Sequence, residues 1–221
     1  MDTEALNWGP GLAATLVGLG IFLYGERREQ RGVVWIGKPL ASLGFLALAL
    51  GVGALATPVG QAIFAALILS FIGDILLIPA DPRIFLGGLG SFLLGHVGFA
   101  VAFLMRGVSW AAVGAAAVAI LPVAVLVGRW LLPHVERAMK VPVLAYMSVI
   151  SAMVALSFGT AFRDGAAALA WMWPAAAVMF FVSDLSVARD RFVAPGFDNR
   201  VWGLPLYYGA QVWFAFLAAA P

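Results

Sequence analysis

Eight stretches of the 221-residue chain are apolar over about 20 residues each, and this pattern decides what the chain can fold into. They run over 8–24, 34–55, 60–78, 84–105, 109–131, 142–162, 167–187 and 202–220. A helix of about 20 apolar residues crosses the hydrocarbon core of a bilayer and satisfies its own backbone hydrogen bonds there. The loops between the runs are too short to fold as soluble domains. The expected architecture is all-α: a polytopic membrane bundle of about eight transmembrane helices, forming a single integral membrane domain over 1–221. Composition agrees, because only 11% of residues are charged and the mean hydropathy is +1.01, whereas a soluble domain carries about 25% charged residues.

The same composition removes several functional classes. Cysteine is absent, so there is no disulfide framework, thiol nucleophile or thiolate metal site. His96 and His134 are too few and too far apart for a histidine metal site, and neither a metal nor an organic cofactor is expected. A net charge of +2 leaves no footprint for nucleic acid. Asp2 and Glu4 precede the first run, where a secretory signal would carry Lys or Arg, and no lipidation motif is visible.

The basic residues have a topological role instead. With the N-terminus outside, the loops after runs 1, 3, 5 and 7 and their flanks hold eleven of the thirteen Lys and Arg residues, and the outer loops hold only Arg106 and Arg163. The positive-inside rule then places both termini on the outer side, an orientation that suits the inner membrane of a bacterium.

Ionisable groups inside a span cost about 2.5–3.5 kcal/mol or more to insert and mark functional sites by default. Asp74 lies near the inner end of run 3, Asp184 near the inner end of run 7, and His96 near the middle of run 4. Lys38 opens run 2, and Tyr146, Ser183, Tyr207, Tyr208 and Gln211 are polar companions. At the helical rise, Asp74, Asp184, Tyr146 and Tyr207 fall roughly 5–10 Å below the inner interface, with His96 and Gln211 roughly 15–18 Å deep. Taken singly, each has an ordinary reading: an interfacial carboxylate, an anchoring lysine, an aromatic-belt tyrosine, a helix-to-helix hydrogen bond. Gathered in one leaflet, they point to a site.

The motifs that carry these residues resemble the YhhN-like lysoplasmalogenase family. They are Lys38-Pro39, Ser70-Phe71-Ile72-Gly73-Asp74, Phe85 through Gly95-His96 with Phe99, Phe181-Val182-Ser183-Asp184 through Arg191-Phe192, and Tyr207-Tyr208-Gly209-Ala210-Gln211. The resemblance spans roughly residues 30 to 217. It implies eight membrane helices and hydrolysis of the sn-1 vinyl ether bond of lysoplasmalogens, giving a fatty aldehyde and a glycerophospho-base. It carries Asp74, His96, Ser183, Asp184, Tyr207 or Tyr208, and Gln211 over as functional residues.

Such a reaction needs an acid for the β-carbon, a negative charge beside the oxocarbenium ion, and a base for water. Asp74 and Asp184 are expected to supply these as a pair sharing a proton, with His96 orienting or relaying. Lys38, Tyr146, Ser183, Tyr207, Tyr208 and Gln211 would bind substrate, with Lys38, Arg83, Arg189 or Arg191 meeting the phosphate. The substrate would be a lysophospholipid entering from the inner leaflet. A proton-coupled transporter is the alternative, although its path needs polarity reaching both faces. An intramembrane aspartyl protease is disfavoured, because Phe71-Ile72-Gly73-Asp74 lacks the Gly-x-Gly-Asp pattern.

The orientation is directly testable in this cysteine-free background. A cysteine placed at Gln30 should resist an impermeant thiol reagent in intact cells, and one at Thr57 should react. The reverse labelling would invert the topology and move the site to the other leaflet.

Overall fold

The computed structural model describes residues 7–165 and 168–220. Asp2 and Glu4, and residue 167 where the seventh run begins, lie outside the described residues. Among the described residues there are eight α-helices: α1 (Gly9–Arg27), α2 (Arg31–Gly51), α3 (Pro58–Leu76), α4 (Pro82–Arg106), α5 (Trp110–Leu131), α6 (Lys140–Arg163), α7 (Met172–Ala188) and α8 (Phe197–Leu217). Six of them, α2 through α7, are long and apolar enough to cross a membrane. The helices α1 and α8 are less apolar: α1 carries glycine, proline and a charged end, and α8 carries Asp198, Arg200, two tyrosines and Gln211.

Local chemistry fixes several helix ends. Thr57 caps α3 by accepting from the Gly60 N–H at 3.0 Å, and Asp81 caps α4 by accepting from Arg83 N–H at 2.7 Å and Ile84 N–H at 3.2 Å. Each cap is followed by a proline at the first helical position, where the missing N–H costs nothing. The sequence predicts run 2 to continue to residue 55, but the helix stops at Gly51. Gly53 has φ +89°, the left-handed conformation that ends helices, and Ala54–Ala56 form a separate 3₁₀ turn. Run 7 likewise begins with a 3₁₀ turn, Ala168–Trp171, before α7. Helix α8 starts five residues earlier than its apolar run, because its polar first turn finds partners inside the protein: Arg200 pairs with Glu26 and Asp190.

Successive helices pack as neighbours in the pairs α1–α2, α3–α4, α5–α6 and α7–α8. Helix α8 also touches α1, α2 and α3, and α6 bridges α4 to α7. Phe45, Phe99, Phe103, Trp173, Phe180 and Phe214 are fully buried between them, with Phe99 stacked on Phe214 at 4.1 Å between centroids. The outer surface is apolar as well. Val118 is 75% exposed and Leu126 is 66% exposed, which water would penalise and lipid tails do not. The protein is an integral membrane protein, a helical membrane bundle.

The seam between α1 and α2 is made of glycine. A Cβ built on Gly11 or Gly18 would meet the backbone of Leu48 or Ala41, and one built on Gly37 or Gly44 would meet Phe22 or Thr15. With no hydrophobic drive between helices in lipid, such close backbone approach is the main source of association. Gly18→Leu should therefore lower the thermal midpoint in detergent, at about 1–3 kcal/mol for overpacking. Gly20→Leu, where nothing lies within 4 Å, should leave it unchanged. Equal midpoints for the two variants would remove the seam from the stability account.

Candidate functional site

Asp74 sits on the last turns of α3, almost fully buried. Its Oδ2 accepts from the Ser42 hydroxyl at 2.7 Å and from the Tyr207 hydroxyl at 2.6 Å. Its Oδ1 lies 3.4 Å from the Lys38 ammonium. Lys38 and Ser42 are four residues apart on α2 and so share a face. The Ser42 Oγ also reaches the Lys38 carbonyl at 3.0 Å and the Tyr208 hydroxyl at 3.3 Å. The Lys38 ammonium additionally faces the Phe22 ring at 5.5 Å. A charge held this way is paired and hydrogen-bonded, which burial demands.

Asp184, on α7, has a different cradle. Its Oδ2 accepts from the Tyr146 hydroxyl of α6 at 2.7 Å and lies 3.1 Å from Nε2 of His96 on α4. That same Nε2 is 2.9 Å from the Tyr146 hydroxyl. His96 is wholly buried, and its Nδ1 has no hydrogen-bond partner among the described residues. Both contacts of His96 are thus made by one ring nitrogen, which donates or accepts according to the tautomer.

The two cradles open on one cavity. Lys38, Asp74, Tyr146, Ser183, Asp184 and Tyr207 supply its polar edge, and Phe92, Leu131, Ile150, Phe181 and Leu204 are among its apolar walls. Phe180 stands between the cradles, edge-on to the His96 ring at 4.5 Å and to the Tyr207 ring at 5.4 Å. Among the described residues, no group of three or more His, Asp or Glu is placed to hold a metal ion.

Residues 33–218 match the YhhN family. The chain belongs to the YhhN family. It is similar to the lysoplasmalogenase TMEM86A of Bos taurus, 31% identical over 186 residues that cover 81% of this chain and 75% of the bovine protein. The human lysoplasmalogenase TMEM86A is 30% identical over 192 residues, covering 81% of this chain and 75% of that protein. A lysoplasmalogenase of Mycobacterium bovis is 33% identical over 183 residues, covering 79% of this chain and 64% of the mycobacterial protein. No solved structure matches.

In this YhhN protein the sequence-expected residues separate into two shells. Those on the cavity edge are named above. His96 stands behind Asp184, Tyr208 stands behind Ser42, and Gln211 is fully buried beside Tyr207 without meeting hydrogen-bond geometry to it. The Ser183 hydroxyl donates back to the Phe180 carbonyl at 2.7 Å. The structure adds two partnerships. The carboxylates are not hydrogen-bonded to each other; each is engaged by its own partners, because a buried charge is better satisfied by a donor than by a second acid. Lys38 is the partner of Asp74, and among the described residues no other cation is paired with that carboxylate. Ser42 was not singled out by sequence, and its only signal is the four-residue spacing from Lys38.

The Lys38–Asp74 pairing predicts strong coupling. Lys38→Met should cost about 3–5 kcal/mol by leaving a buried carboxylate alone, and Asp74→Asn added to it should recover most of that loss. Thermal melts of the two single variants and the double variant form the cycle. Additive losses would show that the pair is not coupled.

Proposed function

We propose that this YhhN protein hydrolyses the sn-1 vinyl ether bond of lysoplasmalogens, releasing a fatty aldehyde and a glycerophospho-base. The observation that carries the reading is one apolar cavity edged by two carboxylates of different chemical character. The lysoplasmalogenase names of the bovine and mycobacterial relatives point to the same substrate. The substrate would enter from the inner leaflet, with its alkenyl chain along the apolar walls.

The Asp184–His96–Tyr146 trio is the proton donor. It protonates the β-carbon of the vinyl ether, and the double-bond electrons move to give an oxocarbenium ion. The Asp184 carboxylate left behind offsets that positive charge at close range in a low dielectric. His96 orients the carboxylate through Nε2, and Tyr146 donates to the same carboxylate oxygen.

Asp74 takes the second half of the reaction. Each of the three side chains around it, those of Lys38, Ser42 and Tyr207, can donate to it, which suits a carboxylate poised as base. It removes a proton from the water that adds to the oxocarbenium carbon. The resulting hemiacetal collapses as its hydroxyl proton leaves and the glycerol oxygen is protonated. The products are the aldehyde and the free sn-1 hydroxyl, and one water is consumed. The proton gained by Asp74 returns to the Asp184 trio through water in the shared cavity. The two carboxylates thus act as a pair across the cavity, with no direct bond between them.

Asp74→Asn and Asp184→Asn should each lower aldehyde release by at least about a hundredfold, the scale of general acid–base assistance, while the protein stays folded. Asn keeps the shape and can still hydrogen-bond, but it neither carries the proton nor offsets the charge. The assay uses purified, monodisperse variants with ethanolamine and choline lysoplasmalogens. Turnover at the unmodified rate in either variant would remove that aspartate from catalysis. Absence of aldehyde with the unmodified protein on both lipids would favour proton-coupled transport.

A further inference from the structure

A second, polar chamber adjoins the apolar cavity. The two share Lys38, Leu77, Phe85, Ser186, Val187 and Leu204 along their common wall. The chamber is built where α1 ends, α2 begins, α3 turns into α4, and α7 runs through a single π-turn, Arg189–Val193, toward α8. Its charged groups are Glu26, Arg31, Lys38, Asp190, Arg191 and Arg200.

These charges are not equivalent. Lys38 is committed to Asp74. Arg200 is clamped between Glu26 and Asp190, the latter at 2.8 Å. Among the described residues, Arg31 and Arg191 have no carboxylate partner. Arg31 spends one N–H on the Ile78 carbonyl at 3.0 Å. Arg191 lies with its guanidinium 4.4 Å from the centre of the Phe85 ring, a contact that holds the plane and leaves its edge N–H groups unused. With Asp74 counted beside Lys38, four cations face three carboxylates, leaving one unit of positive charge.

We propose that Arg31 and Arg191 together hold the phosphate of the lysolipid headgroup in this chamber, beside the cavity that carries Asp74 and Asp184. A phosphodiester monoanion neutralises the residual charge, and guanidinium edges present paired donors to its oxygens. Glycerol is a short link between the phosphate and the sn-1 oxygen, so a headgroup in the chamber sets the vinyl ether down in the adjoining cavity. The arginines make the same contact before and during reaction, which is uniform binding. The inference rests on the lysolipid reading above, and it assigns to Arg31 and Arg191 the phosphate contact that Lys38 does not make.

The test uses the full-length protein in neutral detergent and a probe it cannot cleave. The probe is a 1-O-alkyl lysophosphatidylethanolamine, compared with a 1-O-alkylglycerol of the same chain and with chain-free glycerophosphoethanolamine, all read by tryptophan fluorescence. The unmodified protein should bind the phospholipid roughly tenfold or more tighter than the alkylglycerol, the worth of charge-assisted hydrogen bonds. Arg191→Gln should erase most of that preference. Arg31→Gln should do the same, with Arg31→Lys as a check that keeps the charge should loss of the Ile78 contact disturb folding. Arg137→Gln, an exposed arginine outside the chamber, should change nothing.

An unaltered preference in Arg191→Gln would overturn the assignment, as would equal binding of alkylglycerol and phospholipid by the unmodified protein. Binding of glycerophosphoethanolamine as tight as that of the lipid would mark a site for soluble phosphodiesters and would also overturn it. Because binding is read without turnover, a failure of hydrolysis leaves this result intact. An unchanged KM for lysoplasmalogen in Arg191→Gln would sink the phosphate site alone.

Discussion

A carboxylate placed among lipid-facing helices must be compensated by the protein itself, since lipid tails offer it no hydrogen bond. That requirement organises the bundle. The partners of Asp74 come from α2 and α8, which fixes how these two helices meet α3. The partners of Asp184 come from α4 and α6, which draws these two toward α7. Six helices are thereby tied to two acids, and the space left between the acids is the cavity. Around this polar centre the association of helices relies on close backbone approach, as at the glycine seam of α1 and α2.

The division of the acids into two cradles also divides their chemistry. Lysine can only donate, so the surroundings of Asp74 favour an acceptor. Histidine can do either, so the surroundings of Asp184 suit a group that gives and regains a proton. Phe180, edge-on to both His96 and Tyr207, keeps the two cradles in fixed relation. Two residues of one type in one cavity thus acquire different surroundings from their neighbours.

Much of this was legible in the sequence. The apolar runs located the helices, because a 20-residue hydrophobic stretch has few other uses. The rarity of ionisable groups in those runs singled out Asp74, Asp184 and His96. Helix ends were less legible where conformation outweighs hydropathy, as at Gly53 with its positive φ, and where polar residues were compensated within the fold, as at Arg200. Partnerships were the least legible. Depth along a helix follows from residue number, but which face turns toward which neighbour depends on packing. For that reason the pairing of Lys38 with Asp74 was not foreseen, and Ser42, one serine in an apolar run, gave no signal.

Helix α5 stands apart from this tightly tied arrangement. It packs on α6 and on the turn after α7, its apolar side chains are largely exposed, and yet Ala124, Val127 and Leu131 form a wall of the cavity that the two aspartates edge. Ala124 also lines a lipid-facing groove between α5 and α6, together with Met147 and Ser151. The cavity therefore has one loosely moored side, and it is the side that faces the bilayer. Outward displacement of that wall breaks apolar contacts which lipid tails replace at little cost, and it breaks none of the hydrogen bonds around either aspartate. The loosely moored wall and the hydrogen-bonded acids of this cavity therefore come from different helices: α5 supplies the first, and none of the side chains that bond Asp74 or Asp184 lies on it.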